Sequence, residues 1–210
     1  MKLLIIIFEL IGILSFSISG SVVGIKKKMD MFGVCMLGIT TAVGGGIIRD
    51  LMLGNIPPLI FNSPEYLFLA AAASCIVLIP SLRTIIENAR ISEMLIFVTD
   101  TIGLAAFVVD AVKIVISCGY KDNFVFVVFA SVVTGVGGGV MRDMFAEKVP
   151  YIFSKHIYAC AAIAGAVLCL TMWDAFGADI SMLTGFAAIV IIRCLSARFN
   201  WNLPVYNPQK

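Results

Sequence analysis

A chain of 210 residues that is 60% hydrophobic and 13% charged, with a mean hydropathy of +1.04, lies outside the range of soluble domains, which are about half apolar and about a quarter charged. It reads as an all-α integral membrane protein, because its apolar runs are continuous and lack the alternation of a membrane β-barrel. The formal net charge of +2 includes no basic cluster with interleaved aromatics, so no nucleic-acid partner is expected; the partner that the composition demands is a lipid bilayer.

Seven apolar segments follow in order, at about residues 3–24, 31–54, 65–82, 93–117, 123–146, 155–173 and 179–197. The first has the small residues of a cleavage site at Ser17 to Gly20, but Glu9 stands inside it and it is long enough to span, so it is read as a transmembrane helix. Lys26-Lys27-Lys28-Met29-Asp30 separates the first two segments, and the second ends before Pro57-Pro58. Pro64 suits the first turn of the third. The polar stretch from Arg83 to Glu93 is the longest connection and divides the chain near its middle. Gly119 to Asn123 forms a turn, Asp174 to Asp179 joins the last two segments, and Asn200 to Lys210 is a polar tail. His156 falls at a segment boundary and reads as interfacial.

Basic residues set the orientation. With the N-terminus outside and the C-terminus in the cytoplasm, eleven of the fifteen lysines and arginines fall inside, as the positive-inside rule requires of a protein in the cell (plasma or inner) membrane. The six cysteines stand singly with no Cys-x-x-Cys and read as buried structural thiols. No metal or other cofactor is expected.

One ten-residue stretch occurs twice. Thr41-Ala-Val-Gly44-Gly45-Gly46-Ile-Ile-Arg49-Asp50 recurs as Thr134-Gly-Val-Gly137-Gly138-Gly139-Val-Met-Arg142-Asp143, with seven of ten positions identical. Glycine costs roughly 1 kcal/mol against alanine inside a helix, and an intramembrane charge costs about 2.5–3.5 kcal/mol on insertion scales. A chain that accepts both penalties at two matching positions uses them. The correspondence extends further, from Glu9-x-x-Gly12 to Asp100-x-x-Gly103, from Pro58-Leu-Ile-Phe61 to Pro150-Tyr-Ile-Phe153, and from Tyr66 to Tyr158. The repeating unit is three helices. Three is odd, so the second copy enters the membrane from the opposite face. Residues 1–82 and 93–173 are then two inverted three-helix repeats, with a seventh helix and cytoplasmic tail at 179–210. Interrupted helices at matching positions of two inverted repeats point to a transport site at the repeat interface.

The glycine triplets have two readings: a break or kink in helices 2 and 5 that shapes a pore, or close helix packing of the small-x-x-x-small kind. Arg49-Asp50 and Arg142-Asp143 are adjacent and point about 100° apart on a helix, so partners on other helices are sought, with Glu9 and Asp100 as candidates. The arginines act as gates or ion pairs, or else snorkel to the interface. Glu9 and Asp100 either attract a cation or pair structurally, and Asp110 and Lys113 are spaced to pair on one helix face. Thr41 and Thr134 could offer oxygens to a solute or bond their own backbone.

On these residues the chain resembles the bacterial glycine transporter domain family, relatives of the trimeric intracellular cation channels. The resemblance rests on both glycine motifs, on the acidic residue–x–x–Gly openings at Glu9 and Asp100, and on Asp30-x-Phe32-Gly33. It implies seven helices in two inverted repeats, a homotrimer with one pore per subunit, and kinks at the triplets. It implies passage of monovalent cations such as potassium or sodium, or alternatively of glycine or another small amino acid. The Lys-Glu-Val signature of the animal channels is absent, so lipid-dependent gating is not carried over. An intramembrane enzyme is not expected, since there is no Gly-x-Ser-x-Gly and no His-Glu-x-x-His.

Overall fold

The computed structural model describes residues 2–154 and 157–201, and all regular structure among them is helical. His156 and all of the polar tail beyond Trp201 lie outside the described residues. The chain runs α1 (Lys2–Lys26), α2 (Met31–Met52), a 3-10 turn (Leu59–Phe61), α3 (Pro64–Val77), α4 (Pro80–Ile86) and α5 (Ala89–Val115). A π-helical turn (Ile116–Tyr120) extends α5, and α6 (Phe124–Phe145), α7 (Tyr151–Ser154) and α8 (Tyr158–Arg198) complete the order.

Short polar side chains start the helices by satisfying first-turn amides. Asp30 accepts from the Gly33 amide at 2.7 Å, Asn88 from Arg90 and Ile91, and Asn123 from Phe126. Prolines occupy the first turns of α3 and α4. Among the described residues five helices are long and apolar enough to cross a membrane, or six when the bent pair α3–α4 is taken as one span. Large apolar side chains such as Phe68 and Val125 face outward at 74% and 75% exposure, as lipid-facing positions would.

The structure departs from the sequence expectations in three places. The third apolar segment is not one rod: α3 and α4 are bent by 75° at a short break, because Pro80 disfavours helix at the residue before it. The cysteines are not all buried; Cys75, Cys118, Cys160 and Cys194 are exposed and only Cys169 is buried, which the weakly polar thiol tolerates on an apolar surface. Most consequentially, the second and fifth helices are not broken at their glycines. α2 and α6 run as uninterrupted helix through Gly44 to Gly46 and Gly137 to Gly139.

The interruptions fall elsewhere. Gly119, at φ 89°, lies within the π-helical turn that follows α5. Gly177, at φ 78° and ψ 167°, interrupts α8 in a conformation open essentially only to glycine. There α8 folds back on itself: a Cβ at Gly165 or at Gly185 would lie 2.9 Å from the other's carbonyl oxygen. In an unbroken helix those residues would be roughly 30 Å apart.

Helices α1, α2, α5 and α6 form the centre, with α3 laid on α1 and α2 and α8 on α5 and α6. The central contacts are reciprocal. A side chain at Gly12 would strike Phe107, and one at Gly103 would strike Phe16, while Phe16 and Phe107 meet edge-on at 5.3 Å. Between α2 and α6, a Cβ at Gly45 would overlap the Thr134 carbonyl oxygen, and one at Gly138 the Thr41 carbonyl oxygen. The middle glycines let two backbones touch. This is the packing reading of the triplets.

Candidate functional site

Each glycine motif ends in a buried ion cluster one turn beyond the seam. In the second motif Arg142, 1% exposed, donates through Nε to Asp143 Oδ1 at 2.9 Å. Its Nη1 reaches Asp100 Oδ1 at 2.7 Å and Ser19 Oγ at 2.6 Å, and its guanidinium lies over the Tyr151 ring. Asp143 Oδ2 accepts from the Tyr151 amide at 3.1 Å, which ties the start of α7 to the cluster. Arg193, from the last limb of α8, approaches Asp100 Oδ2 at 3.8 Å and stacks over Tyr158 and Phe97.

The first motif repeats the plan with different partners. Arg49 Nε donates to Asp50 Oδ1 at 2.9 Å, and Arg49 Nη1 lies 3.6 Å from Asp110 Oδ2. Asp50 Oδ2 accepts from the Leu59 amide at 2.8 Å, holding the 3-10 turn as Asp143 holds α7. Tyr66 donates its hydroxyl to Glu9 Oε2 at 2.6 Å. These groups line a cavity of about 290 Å³, with Gly46, Phe107 and Asp110 on its wall. A Cβ at Gly46 would meet nothing closer than Arg49 Nη2 at 3.9 Å, so the third glycine opens onto the cavity. Gly139 correspondingly faces Tyr158 and Asp100. On the second-motif side a separate cavity of about 440 Å³ is lined by Tyr151, Arg193, Phe97 and Lys148. Burial, with Lys26 nearby, holds the Lys148 ammonium below the ordinary lysine range.

Most of the residues singled out from sequence converge on these two places. Arg142 and Asp100 pair across helices as sought. Other expectations change. The adjacent Arg–Asp pairs do bond each other, because the long arginine chain bends back over the intervening angle. Arg49 finds Asp110 rather than Glu9, and Asp110 forms its ion pair with Arg49 and not with Lys113. Neither arginine snorkels; both are buried. Thr41 and Thr134 donate to Leu37 and Ala130 of their own helices at 2.6 Å, which places them in the packing seam. Gly44 and Gly137 also lie there, against Met141 and Ile48. Sequence reading missed Arg193 as a cluster member; its signal was an arginine well inside the last apolar segment.

The fold is that of an all-helical membrane protein, and its similarity to known proteins places it in the channel and transporter class. The chain belongs to the glycine transporter family, whose model matches it twice, over residues 6–81 and 97–174. It is 35% identical over 201 residues to a UPF0126 membrane protein of Deinococcus radiodurans, covering 94% of this chain and 89% of that one. It is 32% identical over 200 residues to the UPF0126 inner membrane protein YadS of Escherichia coli K12, with 94% of each chain covered. Among solved structures it is similar to a prokaryotic TRIC channel crystallised in 0.5 M KCl, at TM-score 0.88 and 33% identity over 97% of this chain and 100% of that one. It is also similar to a TRIC trimeric intracellular cation channel orthologue from Rhodobacter sphaeroides, at TM-score 0.85 and 28% identity over 93% and 98%.

Proposed function

We propose that the protein is a passive channel for monovalent cations, potassium or sodium, working as a homotrimer with one pathway in each subunit. The reading takes seven spans: α1, α2, the α3–α4 pair, α5, α6 and the two limbs of α8. Residues 1–82 and 93–173 form inverted three-helix repeats, and 179–210 the seventh helix and tail. The N-terminus is outside and the C-terminus cytoplasmic, in the cell (inner) membrane. The cavity at Arg49 then opens outward and the cavity at Arg193 inward. The Phe16–Phe107 contact and the α2–α6 seam close the route between them.

The observation that carries this reading is the pair of matched arginine clusters, one beyond each end of a glycine seam, each beside a cavity. Charges that expensive are kept in a bilayer where ions or other solutes pass. Similarity to solved cation channels supports permeation, and the inner-membrane relative supports the location. Potassium-dependent conductance of purified protein in liposomes tests it; a chain that inserts and assembles but carries no current defeats it. A second reading, a carrier of glycine or a similarly small amino acid, is favoured by one feature. Arg49 and the carboxylates of Glu9 and Asp110 share a cavity of about 290 Å³, as the two charges of a zwitterion would need. Saturable uptake of labelled glycine without conductance would select it.

A further inference from the structure

The two clusters use corresponding residues but do not balance. The second-motif cluster sets two guanidinium groups, Arg142 and Arg193, against Asp100 and Asp143. The first-motif cluster sets one, Arg49, against Asp50 and Asp110, with Glu9 lining the same cavity. Arg193 comes from the last limb of α8, for which the first half of the chain has no counterpart. Where the second cluster has the Ser19 hydroxyl, the first has the Asp110 carboxylate, by the same spacing that matches Glu9 to Asp100.

The surplus negative charge lies at Asp110 and Glu9. Asp50 is fully engaged, by Arg49 at one oxygen and the Leu59 amide at the other. Glu9 has one oxygen held by Tyr66. Asp110, 1% exposed, has Oδ2 near Arg49 and Oδ1 buried with no hydrogen-bond partner. Asp100 Oδ2 also lacks a hydrogen bond, but it has Arg193 at 3.8 Å. Lys113, one turn beyond Asp110, forms no ion pair with it among the described residues. A buried carboxylate oxygen without a donor is costly, and Asp110 is one of the residues that line the cavity with Glu9 and Tyr66.

We propose that this cavity binds one monovalent cation, held between Asp110 and the Glu9 carboxylate that Tyr66 orients, with water completing the coordination. The volume exceeds the roughly 30 Å³ share of a single water several-fold, so the ion keeps part of its hydration shell. The proposal rests on the cation-channel reading and assigns its outward binding step.

The test uses purified full-length protein, with unfolding temperature followed as KCl replaces N-methyl-D-glucamine chloride at constant chloride. The unmodified protein shows a saturable rise with potassium. In Asp110→Asn the half-saturating concentration increases about tenfold or more, the factor that about 1.4 kcal/mol makes in affinity. Glu9→Gln gives a second weakened variant if Asp110→Asn does not fold. A flat response of the unmodified protein to potassium overturns the site, as does an unchanged response in the variant that folds. Potassium flux in liposomes is read in parallel. Flux without potassium-dependent stabilisation removes the site and keeps the channel, whereas stabilisation without flux keeps the site and removes the channel.

Discussion

Gly45 and Gly138 stand in mirrored positions on α2 and α6, each pressed against the carbonyl oxygen of the other helix's motif threonine. No side chain fits at either place, because the obstacle on both sides is backbone. Gly45→Ala and Gly138→Ala should each destabilise the protein by about 1–3 kcal/mol, the usual range for overpacking. Gly46→Ala, which meets only the tip of Arg49, should not destabilise and should raise stability by up to about 1 kcal/mol, the helix penalty of glycine. Thermal unfolding in detergent separates the three; equal tolerance at all of them would mean that the seam does not hold the helices together.

Arg142 holds the second cluster by contacts to three side chains and a ring, and almost none of it is exposed. Arg142→Gln leaves the Asp100 and Asp143 carboxylates buried with one guanidinium fewer, a loss of about 3–5 kcal/mol for a broken buried pair. Arg49→Gln should cost at least as much, because it removes the one guanidinium that faces Asp50 and Asp110, whereas Arg193 still faces Asp100 after Arg142→Gln. Denaturant unfolding of both variants checks the order. A clearly smaller loss for Arg49→Gln would contradict the asymmetry of the two clusters.

Much of this was legible in the sequence. The doubled motif located both clusters, because glycine and charge inside apolar runs are expensive and stand out. The Glu9–Asp100 and Tyr66–Tyr158 correspondences named four of the surrounding side chains. The triplets were harder, since three glycines permit a kink and a close contact equally. What revealed the close contact was the threonine carbonyl on the facing helix, a long-range fact that no local pattern carries. Arg49 choosing Asp110 over Glu9 depends in the same way on how α1 and α5 cross. The break at Gly177 hid inside a stretch whose residues otherwise continue a helix, so the polar residues from Asp174 to Asp179 marked the turn but not its form.

Gly177 should resist replacement for a reason different from that of the seam glycines. A Cβ there has open space around it, so any loss comes from the backbone conformation alone. Gly177→Ala is expected to lower stability by about 1–3 kcal/mol. Thermal unfolding in detergent measures it, and an unaltered unfolding temperature would show that α8 reverses by another route.

The route through the subunit is tested most directly at Gly46, where the third glycine opens onto the cavity beside Arg49. Potassium current through Gly46→Cys protein in a planar bilayer is recorded while a membrane-impermeant thiol reagent is added to the outer side. The account predicts progressive block of the variant and no effect on the unmodified protein, whose exposed native cysteines lie away from this cavity. Complete labelling of the cysteine with the current unchanged would contradict it.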